Sequence, residues 1–378
     1  MKIHRRAILP IGYLASGVAS GIKRSGKRDL ALLYSNAPGK AACHFTSNTI
    51  IAAPIRLNRI HLKKTKAFQA VIINSGNANC FTGKKGFSDA ERISGQLSLL
   101  LKIPKESILS ASTGIIGRRL PASKMIRSLP GLIKGLSQGG IDAAKDAILT
   151  TDTFAKAITA EDTIGGSRVR MCGIAKGAGM IAPNVATMLA FVLTDAHISQ
   201  KALSKASSIA VNTSFNCITV DGCMSTNDTV AIMANSQACN ALIGTNRYFG
   251  RFLTLLSRVY LELAKMIIKD AEGATKFIQI RVTGARSFKE ARQVALSVAN
   301  SNLFKTAIYG ENHNFGRIAA SVGSSGVKVA EQDVKISVSP LHRKTIDVEI
   351  SLRPGKHSAV VYTSDLTPQY IKINAEYN

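Results

Sequence analysis

A chain of 378 residues, 46% of them hydrophobic, carries enough apolar material for one large α/β unit or two to three subdomains, and no run of eighteen apolar residues suggests a membrane span. The formal net charge of +26 would attract nucleic acid or anionic lipid, yet the basic residues are scattered in pairs such as Lys63 and Lys64, Lys84 and Lys85, and Arg118 and Arg119, and the chain has no tryptophan. A nucleic-acid reader is disfavoured on those grounds. Cys43, Cys80, Cys172, Cys217, Cys223 and Cys239 form no C-x-x-C pair and have no histidine at zinc spacing, so buried free thiols in a reducing compartment are expected, Cys223 as a packed thiol.

The opening MKIHRRAILPIGY mimics a basic and then apolar secretion signal, but Pro10, Gly12 and Tyr13 interrupt it, and it reads as the first strand and turn of a cytoplasmic protein. Ala31 to Tyr34 and Ala70 to Ile73 read as short strands, the second running into NSGNAN, whose side chains favour a hydrogen-bonded loop. Ser88 and Glu91 have capping-box spacing, and Ile93, Leu97, Leu100 and Leu101 then repeat at helical intervals until Pro104. A strand at Ile108 to Ala111 ends at STGIIG. Helices follow near Ala122 to Leu129 and Ile141 to Leu149, the second entering TTDT, and Arg168 to Cys172 fits a strand.

Lys176 to Leu189 reads KGAGMIAPNVATML and is the stretch around which the rest is organised. Small residues and Pro183 make a tight turn, and Met188 to Leu193 looks like a buried strand. Two interpretations stay open from these residues alone. Thr187 is either a β-branched residue opening a core strand, or a nucleophile whose own α-amine is freed by cleavage of the Ala186–Thr187 bond. An N-terminal threonine brings its general base with it, because the freed amine has a pKa of about 7.7 to 8.0.

Beyond it, Ala202 to Val211 reads as a helix and Cys217 to Thr229 as a strand and loop. Arg251 to Lys269 is the clearest helix, with Leu255, Val259, Leu263, Met266 and Ile267 on one face, and it delivers Asp270 and Glu272 to a glycine turn. A carboxylate is unfavourable at a helix C-terminus, which invites a functional role for Glu272. Phe277 to Val282 alternates as in a half-buried antiparallel sheet, Ser287 and Glu290 form a second capping box before a helix to Ala299, and Val334 to Tyr362 holds three alternating strands. The whole is expected to be α/β, with layered mixed sheets flanked by helices and a smaller C-terminal α/β subdomain.

KGAGMIAPNVATML resembles the self-cleavage motif of the ornithine acetyltransferase family of arginine biosynthesis, also called glutamate N-acetyltransferases. NSGNAN, STGIIG, TTDT, STNDT, DAEGATK, the stretch Gly310 to Gly316 and the tail SDLTPQYIKINAEY resemble family segments in family order, over nearly the whole chain. The resemblance implies a self-cleaved N-terminal-nucleophile acetyltransferase fold. It also implies autoproteolysis between Ala186 and Thr187 into chains 1–186 and 187–378, and a heterotetramer with two of each. Thr187 would be the nucleophile, Thr113 and Gly114 the oxyanion donors, and Thr153, Lys176, Thr187, Glu272 and Asn374 the substrate-binding residues. The implied reaction is acetyl transfer from N-acetylornithine to glutamate through an acetyl-threonine, with no metal or organic cofactor, and with acetyl-CoA as a possible further donor. Departures at Ala178, Val185 and Cys223 suit packing variants. Where the family commonly has a binding Thr or Ser five residues after Asn374, this sequence has ended at Asn378.

Two other classes are carried beside it. A self-processing aminopeptidase or amidohydrolase with the same threonine would pass its acyl-enzyme to water. An inactive binding protein with a basic surface would transfer no acetyl group and bind nucleic acid with a steep salt dependence.

Overall fold

A computed structural model describes residues 1–182, 188–353 and 355–376. The chain divides into two compact units, one comprising Met1–Gly177, Asn184–Val211 and Met224–Leu263 and the other Ala178–Pro183, Asn212–Cys223 and Ala264–Asn378. Each unit draws on residues from both sides of the expected cleavage point.

The strands of the first unit are β1 (Lys2–His4), β2 (Tyr13–Val18), β3 (Leu30–Phe45), β4 (Phe68–Asn77), β5 (Ile108–Ile115), β6 (Lys156–Ile164), β7 (Ser167–Lys176), β8 (Leu189–Thr194) and β9 (Thr229–Ala234). Its helices are α1 (Ala53–Lys64), α2 (Gly83–Leu101), α3 (Ala122–Lys134), α4 (Ile141–Ala147) and α5 (Gln200–Asn212), with the part up to Leu263 of α6 (Phe249–Lys269). Hydrogen bonding runs β1-β6-β7-β8-β9-β3-β4-β5, with β2 also on β3.

The long strand β3 serves two layers. Its first part, Leu30 to Tyr34, pairs with β4, its later part, Lys40 to Phe45, pairs with β9, and the register slips between Tyr34 and Gly39. Because successive side chains of a strand face opposite ways, the two faces of β3 and β4 enter different cores. Ala31, Leu33, Val71 and Ile73 pack with Ile174, Phe191, Ala231 and Met233 between the layers. Leu30, Leu32, Ala70 and Ile72 pack outward against Ile93 and Leu97 of α2 and Met125 and Leu129 of α3. Each buried Leu, Ile, Val, Phe or Met side chain among them contributes about 1.5–3 kcal/mol, and each alanine less. On the opposite side, His44 of β3 meets Ser207 of α5 at 3.0 Å, and Ser207 meets Tyr260 of α6 at 3.1 Å. The expected layering of mixed sheets flanked by helices is found.

The second unit has a four-stranded sheet, β10 (Phe277–Ala285), β11 (Val334–Val338), β12 (Thr345–Leu352) and β13 (His357–Ser364), in the order β11-β12-β10-β13. Helices α7 (Phe288–Ala299), α8 (Asn302–Tyr309), α9 (Phe315–Gly323) and α10 (Pro368–Glu376) complete it. Ile278, Ile280 and Val282 face Ala291, Val294 and Val298 in its core.

Several expectations are corrected. Helix α2 begins at Gly83, so Ser88 and Glu91 lie on its solvent face and cap nothing. At α7 the same pattern does cap: Ser287 Oγ accepts the Glu290 N–H at 3.1 Å. No strand forms at Cys217 to Asp228, where Asp221 and Ser225 side chains accept backbone N–H groups two residues on and hold turns; β9 starts only at Thr229. Strand β10 is antiparallel to β13 but parallel to β12, so its sheet is mixed. Strand β6 and helices α8 and α9 were not anticipated. All six cysteines are free, but Cys223 and Cys239 are exposed, because each lies in a surface turn. Among the described residues no helix is long and apolar enough to cross a membrane, and no cluster of potential metal ligands occurs.

Candidate active site

Three of the motifs converge in the first unit. β4 and β5 run parallel, so that NSGN at 74–77 lies beside STGI at 112–115. Their register shifts at Gly76 and Asn77, where the backbone bulges. Gly114 has φ +129° and Gly76 φ +94°, and a Cβ on Gly114 would collide with the Gly76 carbonyl carbon and stand 2.6 Å from the Asn77 nitrogen. Only glycine allows the two backbones to touch there. Ser112 Oγ donates to Asn74 Oδ1 at 2.6 Å, and Asn74 Nδ2 donates to Asn77 O at 2.8 Å.

The STNDT segment locks onto the same strand ends. Asn227 Nδ2 donates to Ala78 O at 2.5 Å and to Ser112 O at 2.8 Å, bridging the two motifs. Its neighbour Asp228 accepts the Met188 N–H at 2.8 Å, and Thr229 N donates to Met188 O at 3.2 Å. Met188, the residue after Thr187 in the chain, is thus fastened to the segment that bridges NSGNAN and STGIIG. Asp228 is 1% exposed, and burial pushes its carboxyl well above the usual carboxylate range despite the Met188 hydrogen bond and the Lys176 charge.

TTDT and Lys176 form a second cluster of the first unit. The Asp152 side chain is fully buried, with Lys156 Nζ at 2.7 Å and Lys176 Nζ at 4.0 Å. Its oxygens also accept the N–H groups of Gly177 at 2.7 Å and Thr150 at 3.0 Å. Burial alone would raise its pKa, but the Lys176 and Lys156 charges prevail and hold it well below the usual carboxylate range. Lys176 ends β7 opposite Leu189 of β8, in the row that continues to Thr229 of β9. Thr153 lies in the exposed turn directly after Asp152.

In the second unit, Glu272 and Asn374 come together. Asn374 Nδ2, on α10, donates to Glu272 Oε2 at 2.9 Å, and the Glu272 N–H donates to Ala178 O at 3.0 Å. The Glu272 carboxylate lies directly over Gly179, the second glycine of the KGAG segment. Asp221 joins loop and helix: Oδ2 accepts the Met180 N–H at 2.7 Å and the Tyr370 hydroxyl at 3.0 Å.

Of the residues singled out from the sequence, Thr113, Gly114, Thr153 and Lys176 fall in the first unit, and Glu272 and Asn374 in the second. Ala186 and Thr187 lie outside the described residues. Asp152, Asp221, Asn227 and Asp228 went unassigned. Their signal was present in that each is the acidic or amide residue of a turn already noted, but nothing local revealed its distant partner.

Residues 14–343 match the ArgJ family. The arginine biosynthesis bifunctional protein ArgJ of Caldanaerobacter subterraneus subsp. tengcongensis is 44% identical over 395 residues, which cover 98% of this chain and 97% of that protein. The protein of the same description from Geobacter sulfurreducens is 42% identical over 388 residues, covering 97% and 98% respectively. A crystal structure of ornithine acetyltransferase complexed with ornithine, from Mycobacterium tuberculosis, is 34% identical, covers 48% of this chain and 97% of that one, and has a TM-score of 0.44.

Proposed function

The chain belongs to the ArgJ family, and from that premise we propose that it is a glutamate N-acetyltransferase, moving the acetyl group of N-acetylornithine to glutamate through an acetyl-threonine at Thr187. The observation that carries most weight is the tie of Met188 to Asp228, next to Asn227, which grips the strand end bearing Thr113 and Gly114. The site residues and the cleavage are part of the proposal.

In the precursor, Thr187 Oγ attacks the Ala186 carbonyl, the acyl group shifts from nitrogen to oxygen, and water releases chains 1–186 and 187–378. The new α-amine then takes the Thr187 hydroxyl proton as Oγ attacks the acetyl carbonyl. Negative charge develops on the carbonyl oxygen, and the Thr113 hydroxyl and Gly114 N–H donate to it. The nitrogen of ornithine leaves with the proton from the threonine ammonium. Glutamate's α-amine attacks the acetyl ester, the Thr187 oxygen recovers the proton, and N-acetylglutamate departs. Lys176 pairs with the substrate α-carboxylate, Thr153 adds a hydroxyl contact, and Glu272 and Asn374 take the ornithine side-chain amine. Two copies of each cleaved chain associate in the cytoplasm.

Intact mass under denaturing conditions, wild type beside Thr187→Ala, tests the proposal together with an assay for acetyl transfer. Two fragments and transfer in the wild type alone are expected. An uncut, inactive wild type overturns the mechanism, and cleavage with hydrolysis but no transfer to glutamate favours an amidohydrolase.

A further inference from the structure

We propose that Lys23 binds the side-chain carboxylate of the acyl-accepting amino acid and so sets acceptor specificity, an inference that rests on the acetyl-transfer function above. The backbone bearing Lys23 is held in place by a buried carboxylate. Asp29, fully buried, accepts from Ser20 N at 2.6 Å, Ser20 Oγ at 2.7 Å, Ile22 N at 2.7 Å and Lys23 N at 2.9 Å. Four charge-assisted bonds fix the backbone from which the side chain starts.

The stem of Lys23 then lies on the strand-end bulge. A Cβ on Gly76 would stand 3.1 Å from Lys23 Cγ, and Gly76 is the residue whose backbone touches Gly114. Lys23 therefore borders Gly76, whose backbone in turn lies against Gly114, the residue expected to hold the oxyanion.

Its ammonium is the unmatched cation of the cluster. Lys156 and Lys176 both pair with Asp152, whereas Lys23 Nζ donates to Arg28 O at 2.9 Å and has no carboxylate within ion-pair distance among the described residues. An ammonium has three N–H donors, so capacity remains for a ligand. Burial pushes the Lys23 pKa down to about 8; the charges of Asp29 and Asp152 pull it up, and those of Lys176 and Lys27 push it down further. A half-buried cation whose neighbouring carboxylates stand beyond ion-pair distance carries a desolvation cost that a bound carboxylate offsets.

The chemistry of the two substrates says what that carboxylate is. Donor and acceptor share an amino-acid head and differ at the side-chain end, an amine in ornithine and a carboxylate in glutamate. A group that recognises the acceptor must be cationic, and the same charge opposes retention of ornithine after it has given up its acetyl group.

The test uses the cleaved enzyme with N-acetylornithine saturating. Lys23→Met keeps the stem, and mass and thermal unfolding establish that it processes and folds as the wild type does. Expected is a rise of about tenfold or more in KM for glutamate, with KM for N-acetylornithine changed less than twofold. The preference for glutamate over glutamine should shrink by the same factor, since only glutamate has the side-chain carboxylate. Lys23→Arg should recover most of the loss, and Lys27→Met, an exposed neighbour, should show none. In the wild type, KM for glutamate relative to Lys23→Met should climb as pH rises past about 8, where Lys23 loses its charge. Equal loss with glutamate and glutamine, or no loss, overturns the proposal. A wild type that transfers no acetyl group overturns the underlying function instead.

Discussion

Asp228 Oδ1 accepts the N–H of Met188 at 2.8 Å, while Oδ2 is buried without a hydrogen-bond partner among the described residues. The nearby Thr46 hydroxyl donates to Ser225 O instead, at 2.7 Å. A buried carboxyl in that position is most stable as the neutral acid, and burial raises its pKa accordingly. The native state then holds a proton that the unfolded state releases above about pH 4, so this group's contribution to stability falls as pH rises from there toward the native pKa. Asp228→Asn, neutral throughout, should match the wild type near pH 4 and gain on it toward neutrality in urea unfolding, and should still be processed. Asp228→Ala leaves the Met188 N–H unpaired, and should lose about 1–3 kcal/mol and slow the processing.

The fate of the two capping-box patterns shows what a sequence can and cannot disclose. Ser287 and Glu290 cap α7, whereas Ser88 and Glu91, at identical spacing, sit inside α2, because the spacing of two polar residues on an exposed helix face is the same three. The strands at Ile108, Arg168 and Met188 and the long helix at Arg251 were legible because their apolar periodicity is local. Lys176 and the TTDT motif were each visible, but that Asp152 buries its carboxylate between Lys156 and Lys176 depends on pairing of β6 with β7. Asn227 likewise joins Ala78 and Ser112 across more than a hundred residues of chain.

Asp152 should behave in the opposite sense to Asp228. Its pKa is depressed in the folded chain because the charges of Lys176 and Lys156 outweigh the burial that would raise it. The stability it contributes is fully present above the unfolded value of about 4 and is lost as pH falls toward the folded one. Asp152→Asn removes the carboxylate charge that faces two buried ammonium groups, and a loss of about 3–5 kcal/mol is expected at pH 7. Unfolding measured down the pH scale should find that difference narrowing below about pH 4; a constant difference would mean that Asp152 acts only through its shape.

Gly114 and Gly117, in one STGIIG segment, separate geometry from mere backbone preference. Both have positive φ, but a Cβ on Gly117 meets nothing within 4 Å, whereas one on Gly114 strikes the Gly76 backbone. Gly117→Ala should cost only the backbone term, about 1–2 kcal/mol, with transfer rates intact. Gly114→Ala must move the bulge together with its N–H, and kcat should fall about 10²–10³-fold, the usual loss for one oxyanion donor. Equal rates for the two variants would remove Gly114 from the oxyanion site.

Gly179 and Glu272 offer a test of substrate binding that leaves the chemistry alone. A Cβ on Gly179 would overlap the Glu272 carboxylate and come 2.7 Å from its Oε1. The obstruction is the far end of a flexible side chain, so Gly179→Ala should fold with nearly unchanged stability while the carboxylate swings aside. Asn374, which donates to Glu272 Oε2, would lose its partner's position as well. The backbone around them should stay, because Asp221 still holds both the Met180 N–H and the Tyr370 hydroxyl of α10. KM for N-acetylornithine should therefore rise about tenfold in Gly179→Ala and in Asn374→Ala, with kcat changed far less, since only contacts to the bound amine are weakened. Glu272→Gln should raise KM at least as much, and adding Gly179→Ala to it should do little more, because both act on one carboxylate. A fall in kcat at constant KM would place Glu272 in the acyl-transfer step itself and withdraw it from recognition of the ornithine amine.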